Sequence, residues 1–93
     1  MAPFRVALTP AVERQLDRLR GPDVAAIRGV ILGLADEPKP PGARKLAGSD
    51  DLWRIRVRVD QQPWRVVYQL LPNERLIIIT QVVRRDEATY RGL

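Results

Sequence analysis

Residues 53–59 read Trp53-Arg54-Ile55-Arg56-Val57-Arg58-Val59, and Trp64-Arg65-Val66-Val67-Tyr68 follows after a short turn. Apolar and cationic side chains alternate with a period of two. A strand with this alternation sends Trp53, Ile55, Val57 and Val59 to one face and Arg54, Arg56 and Arg58 to the other. In the second segment Trp64, Val66, Tyr68 and Leu70 share a side, opposite Arg65, Val67 and Gln69. If the tryptophans are core, Arg65 joins the three arginines of the first strand. Guanidinium groups in register repel one another and build no core.

The rest of the chain supplies the cover for the apolar side. Phe4 to Leu8 alternates weakly, predicting a strand over 3–8 that ends at Thr9-Pro10, an N-cap followed by proline at the first helical position. A helix over 10–19 then buries Val12, Leu16 and Leu19 and leaves Glu13, Arg14, Asp17 and Arg18 in solvent. Gly21-Pro22-Asp23 breaks that helix and starts a second, with Ile27, Val30, Ile31 and Leu34 as its buried stripe and Asp36-Glu37-Pro38 at its end. Gly29 and Gly33, which share a face of this helix, predict close approach by the first. Strands follow at about 52–59, 63–70 and 75–83, with turns at Asp60-Gln61-Gln62-Pro63 and Pro72-Asn73-Glu74. Leu76-Ile77-Ile78-Ile79 is apolar at every position, which predicts a strand covered on both faces. The expected class is α+β: an N-terminal strand, then a helical hairpin packed on one face of a mainly antiparallel sheet of about four strands. Its 93 residues suit one domain, 1–93, with one modest core.

Composition narrows the chemistry. The chain carries a net charge of +5, and of its 16 basic residues only Lys39 and Lys45 are lysine. Arginine suits bidentate phosphate contacts and stacking on bases; arginine-rich codon usage accounts equally well for the bias. Cysteine and histidine are both absent, which removes disulfides, thiolate sites, a cysteine nucleophile and the commonest general base and metal ligand. The acidic residues show no spacing that collects three oxygen ligands, so neither metal nor cofactor is expected. No apolar run approaches the ~20 residues of a membrane span, and the N-terminus lacks the basic-then-apolar pattern expected of a signal peptide. A soluble, cytoplasmic protein is expected.

An uncovered face of arginines fits a polyanion, nucleic acid first, although alternating arginines also mark plain solvated sheet faces. Lys45 and Arg85 extend the basic surface, and the terminal run Arg84-Arg85-Asp86-Glu87-Ala88-Thr89-Tyr90-Arg91 adds cations and a tyrosine outside the periodic segments. Trp53, Trp64 and Tyr68 alternate in phase with Ile55 and Val66 and read as core.

The succession Arg44-Lys45-Leu46-Ala47-Gly48, Leu-Trp-Arg-Ile-Arg-Val from Leu52, Trp-Arg-Val-Val-Tyr from Trp64 and the terminal run from Arg84 resembles the RelE/ParE family of type II toxins over nearly the whole chain. The resemblance implies a RelE-like fold, a cognate antitoxin as partner in a hetero-oligomeric complex, and one of two activities. RelE members are ribosome-dependent mRNA endonucleases, whereas ParE members poison DNA gyrase without cutting RNA. The RelE pattern is matched by basic residues at Arg54 and Arg56, by the strand arginine Arg65, and by Arg84 with Tyr90 six residues on. That pattern implies catalytic roles for Arg65, Arg84 and Tyr90, and RNA binding by Arg54, Arg56, Arg58, Lys45 and Arg85. The best-known RelE enzyme has lysines where this chain has Arg54 and Arg56. Arginine keeps the charge but holds its proton, with a pKa above ~12, so these positions imply phosphate binding and not proton transfer. The catalytic reading further requires Arg65 and Arg84 to converge on one phosphodiester.

Overall fold

The computed structural model describes residues 3–19, 21–59 and 61–84. A five-stranded sheet is overlaid on one face by two helices. In chain order the elements are β1 (Arg5–Leu8), α1 (Pro10–Arg18), α2 (Pro22–Gly33), β2 (Arg44–Lys45), β3 (Leu52–Val59), β4 (Gln62–Leu71), a single 3-10 turn (Pro72–Glu74) and β5 (Leu76–Arg84). The strands lie in the order β1-β5-β4-β3-β2. β1 runs parallel to β5 and every other pair is antiparallel. The strand beyond the expected number is β2, a two-residue edge piece that sequence periodicity cannot reveal.

The helices start where the local chemistry dictates. Thr9 accepts a hydrogen bond from the Val12 amide at 3.3 Å, and Pro10 opens α1. Gly21, at φ 66°, turns the chain into α2 through a conformation that disfavours any side chain. Val12 and Leu16 of α1 and Ile27 and Ile31 of α2 are buried on Ile55, Val57, Trp64, Val66, Tyr68, Ile77, Ile79 and Val82. α1 sits over β5 and β1, and α2 reaches across to β3.

Because the sheet holds the helices side by side, the glycines of α2 are not needed for close approach. Gly29 and Gly33 are exposed, and a Cβ at either would meet nothing within 4 Å. Their solvent-facing position corrects the packing role expected of them. β5 corrects a second expectation. It lies between two strands, but only one face is covered: Ile77 and Ile79 are fully buried, whereas Leu76 and Ile78 are half-buried.

Tyr68 ties the long connection after α2 to the core. Its ring is fully buried and its hydroxyl donates to the Pro38 carbonyl at 2.6 Å. Burial pushes that hydroxyl up to about 12. Nearby, Lys39 lies 5.0 Å from the centre of the Trp53 ring, so the loop is gripped by both aromatic residues.

Candidate nucleic-acid interface

The face of the sheet away from the helices is assembled by strand register. Residues directly opposite one another in an antiparallel pair project to the same side, with Cβ atoms about 4.5–5.5 Å apart. Arg56 faces Arg65 across β3 and β4, and Arg54 faces Val67. On the outer side of β3, Arg54 is also paired with Arg44 of β2. Two neighbouring cationic rungs result, one from Arg44 and Arg54 and one from Arg56 and Arg65. Arg58 stands farther along β3, opposite Pro63, and is exposed. Val67, only 7% exposed, is buried on this face between Arg54 and Gln81. Stems of long polar side chains commonly provide such cover.

Arg44, Arg54 and Arg56 together with Gly42 line an open notch of about 400 Å³. Gly42 has φ 93°, and with the Ala43 amide donating to the Pro40 carbonyl at 3.0 Å it directs the chain into β2. The far end of the β2–β3 connection is pinned just as firmly. Ser49 Oγ accepts from the Leu52 amide at 3.0 Å, and Gln69 Nε2 donates to Asp51 Oδ2 at 2.9 Å. The Leu70 amide donates to the Asp51 carbonyl at 2.8 Å. These bonds hold the start of β3 on β4, and the Leu46 amide, donating to the Leu52 carbonyl at 2.9 Å, ties the end of β2 to β3, so the arginines start from a rigid frame.

The sequence-derived candidates divide. Arg54, Arg56 and Arg65 come together and Arg58 shares their face. Lys45 does not: it is paired with Trp53, on the side of the sheet opposite Arg44. Arg44, not singled out by sequence, takes the place expected of Lys45. Its signal was invisible because a two-residue strand has no periodicity.

Arg84 departs more consequentially. Along β4 and β5, Tyr68 faces Ile79 but Val67 faces Gln81, leaving Thr80 as the additional residue of a β-bulge. Thr80 Oγ1 donates to the Val67 carbonyl at 3.2 Å across this break. The bulge reverses the phase of β5, so that Ile77 and Ile79 before it and Val82 after it are all buried. Val83 becomes the partner of Arg65, and Arg84 the partner of Trp64. The register therefore sets Arg84, exposed on the last rung of β5, on the helix side and not beside Arg65. Arg85 and Tyr90 lie outside the described residues. Among the described residues no group of three His, Cys, Asp or Glu could hold a metal ion.

The model of the "ParE toxin of type II toxin-antitoxin system, parDE" matches residues 6–89. This chain belongs to the RelE/ParE family of type II toxins. A curated relative, a candidate RelE1 toxin of Methanocaldococcus jannaschii, is 30% identical over 88 residues, covering 91% of this chain and 93% of the relative. Free Escherichia coli RelE, in a variant with two arginine-to-alanine changes, superposes with a TM-score of 0.76 at 16% identity, over 99% of this chain and 93% of that one. RelE of the archaeal RelE–RelB complex from Pyrococcus horikoshii superposes at 0.73 with 26% identity, over 91% and 98%. RelBE2 of Mycobacterium tuberculosis, a toxin–antitoxin complex, gives 0.73 at 21% identity, over 89% and 99%. The family model carries the ParE description, whereas these relatives are RelE proteins, and the toxin resembles RelE most. No helix among its described residues is long and apolar enough to cross a membrane.

Proposed function

We infer that this toxin, acting as a single domain over residues 1–93 in the cytoplasm, is a ribosome-dependent mRNA endoribonuclease. The observation that carries this reading is the Arg56–Arg65 pair, flanked by Arg44 and Arg54 on the uncovered face of a sheet most like that of RelE. RNA brings its own nucleophile. The 2′-oxygen loses its proton and bonds to the adjacent phosphorus, the bond to the 5′-oxygen breaks, and that oxygen takes up a proton, leaving a 2′,3′-cyclic phosphate. Neither a metal nor a cofactor is required by this route. The protein must align the groups and stabilise charge on the phosphorane.

Arg56 and Arg65 bind the scissile phosphate and Arg54 and Arg58 the flanking ones, with Arg85 adding to the basic field; Lys45, on the other side of the sheet, adds only long-range charge. Arg84 adds to the clamp only by reaching round the end of β5. Arginine does not release its proton near neutrality, so Tyr90 either serves as the base or stacks on a nucleobase to bend the message into line. The ribosome supplies the remaining alignment by holding the codon. An activity of this kind demands a neutralising partner, and a cognate antitoxin carrying acidic residues complements the basic face in a hetero-oligomeric complex.

The test is an in vitro translation reaction with primer extension on the message. Wild type is expected to cut within codons, and Arg65→Ala to cut ~100-fold more slowly, the loss typical of removing one charge-stabilising donor. Uncut message with accumulating gyrase-dependent DNA breaks would establish the second reading, a ParE-like gyrase poison. The ParE description of the family model and the helix-side register of Arg84 favour that alternative.

A further inference from the structure

We propose that Arg44 and Arg54, under the Gly42 turn, form a second phosphate subsite that holds the message phosphodiester next to the one being cut. This rests on the nuclease reading and adds to it a residue, Arg44, and a substrate requirement for two consecutive phosphates. Arg44 is on the edge strand and exposed, and the β2–β3 register sets it opposite Arg54. Arg54 precedes Arg56 by two residues, about 6.8 Å along a strand. That step is comparable to the spacing of successive phosphates in an extended single strand. Arg54 and Arg56 therefore match two neighbouring phosphodiesters, with Arg44 and Arg65 reaching in from the strands on either side.

The lining of the notch favours RNA over a protein segment. Gly42, Arg44, Arg54 and Arg56 offer charge and planar donors but no apolar side chain, so the lining has nothing to seat the aromatic or aliphatic anchor of a protein segment. Arginine forks are suited to phosphate oxygens. The turn at Gly42 fixes the backbone at the mouth, so Arg44 is presented from an ordered edge.

Binding to a short 2′-deoxy-blocked message oligonucleotide, followed by fluorescence anisotropy over a salt series, tests the subsite without needing cleavage. Arg44→Ala is expected to weaken binding about 3- to 10-fold and to reduce the salt slope by ~0.7, the value for one phosphate contact on a single strand. Arg44→Lys, which keeps the charge, should restore the slope. Arg14→Ala, removing an exposed cation from α1 on the other side of the sheet, provides the charge-matched control. Equal slopes for wild type and Arg44→Ala, or an equal drop in Arg14→Ala, would overturn the subsite. A loss confined to ribosomes without message, or to binding of an acidic antitoxin peptide, overturns it as well. Primer extension on translating ribosomes is read in parallel: wild type that binds with the expected slope but leaves message intact fails the nuclease reading alone.

Discussion

On one side of the sheet, Ile55, Val57, Trp64, Val66, Tyr68, Ile77, Ile79 and Val82 lie beneath two helices; on the other, Arg54, Arg56, Arg58 and Arg65 project from the same strands. The two sets alternate along shared backbone, so their local propensities are similar. Their energetics are opposed. Each fully buried aliphatic side chain contributes about 1.5–3 kcal/mol, whereas like charges directly opposite one another cost a few tenths to ~1 kcal/mol per pair. The helix-covered side pays for the arginine side.

The sharpest way to break this comparison is at the covered face. Ile77→Ala leaves a cavity in the core beneath the helices and is expected to cost about 2–5 kcal/mol in urea unfolding. A loss near that of a surface substitution would mean that the helices do not seal this side.

Tyr68 gives a smaller, pH-dependent effect. Its hydroxyl ionises near 10 when unfolded and about 12 when folded, because burial disfavours the phenolate. Unfolded chains therefore hold fewer protons between these values, and stability is retained below pH 10 and falls as pH rises toward 12. Tyr68→Phe should flatten that decline while costing ~1 kcal/mol at neutral pH for the lost bond to Pro38. Denaturation midpoints at pH 8, 10 and 11 for both proteins check it; parallel curves would remove Tyr68 as the cause.

Gly29→Ala tests the helix layer from its solvent side. With nothing within 4 Å of a new Cβ, the substitution is expected to stabilise by about 0.5–1 kcal/mol through helix propensity alone. The smallest stability change concerns the arginine face. Arg56→Gln removes the repulsion with Arg65 and should gain a few tenths of a kcal/mol, while cleavage in the primer-extension assay drops. Rising stability with falling activity would sharpen the contrast between the faces, and falling stability would show that Arg56 supports the fold.

Much of the fold was legible because alternation and helix punctuation are local signals. Thr9-Pro10 and Gly21-Pro22 marked the helix starts, and the pattern from Trp53 to Val59 assigned the faces of β3 correctly. Gly29 and Gly33 misled because a small residue on a helix says nothing about whether another element approaches it. Arg44 was missed and Lys45 preferred because the face of an edge residue depends on its partner strand. The same limit explains Arg84. Counting outward from Ile77 and Ile79 puts it on the arginine side, and only the extra residue at Thr80 moves it to the other.

What the linear order of residues determined by itself was the α+β class, the burial of every second side chain in β3 and β4, and a cluster of arginines sharing one face. These follow from side-chain periodicity, which the backbone imposes within a single strand. Tertiary structure decided which arginines meet: the pairing of β2 with β3 set Arg44 opposite Arg54, and the bulge turned Arg84 away from Arg65. Register belongs to two strands at once and is selected by packing of the covered face, so no reading of one strand alone contains it.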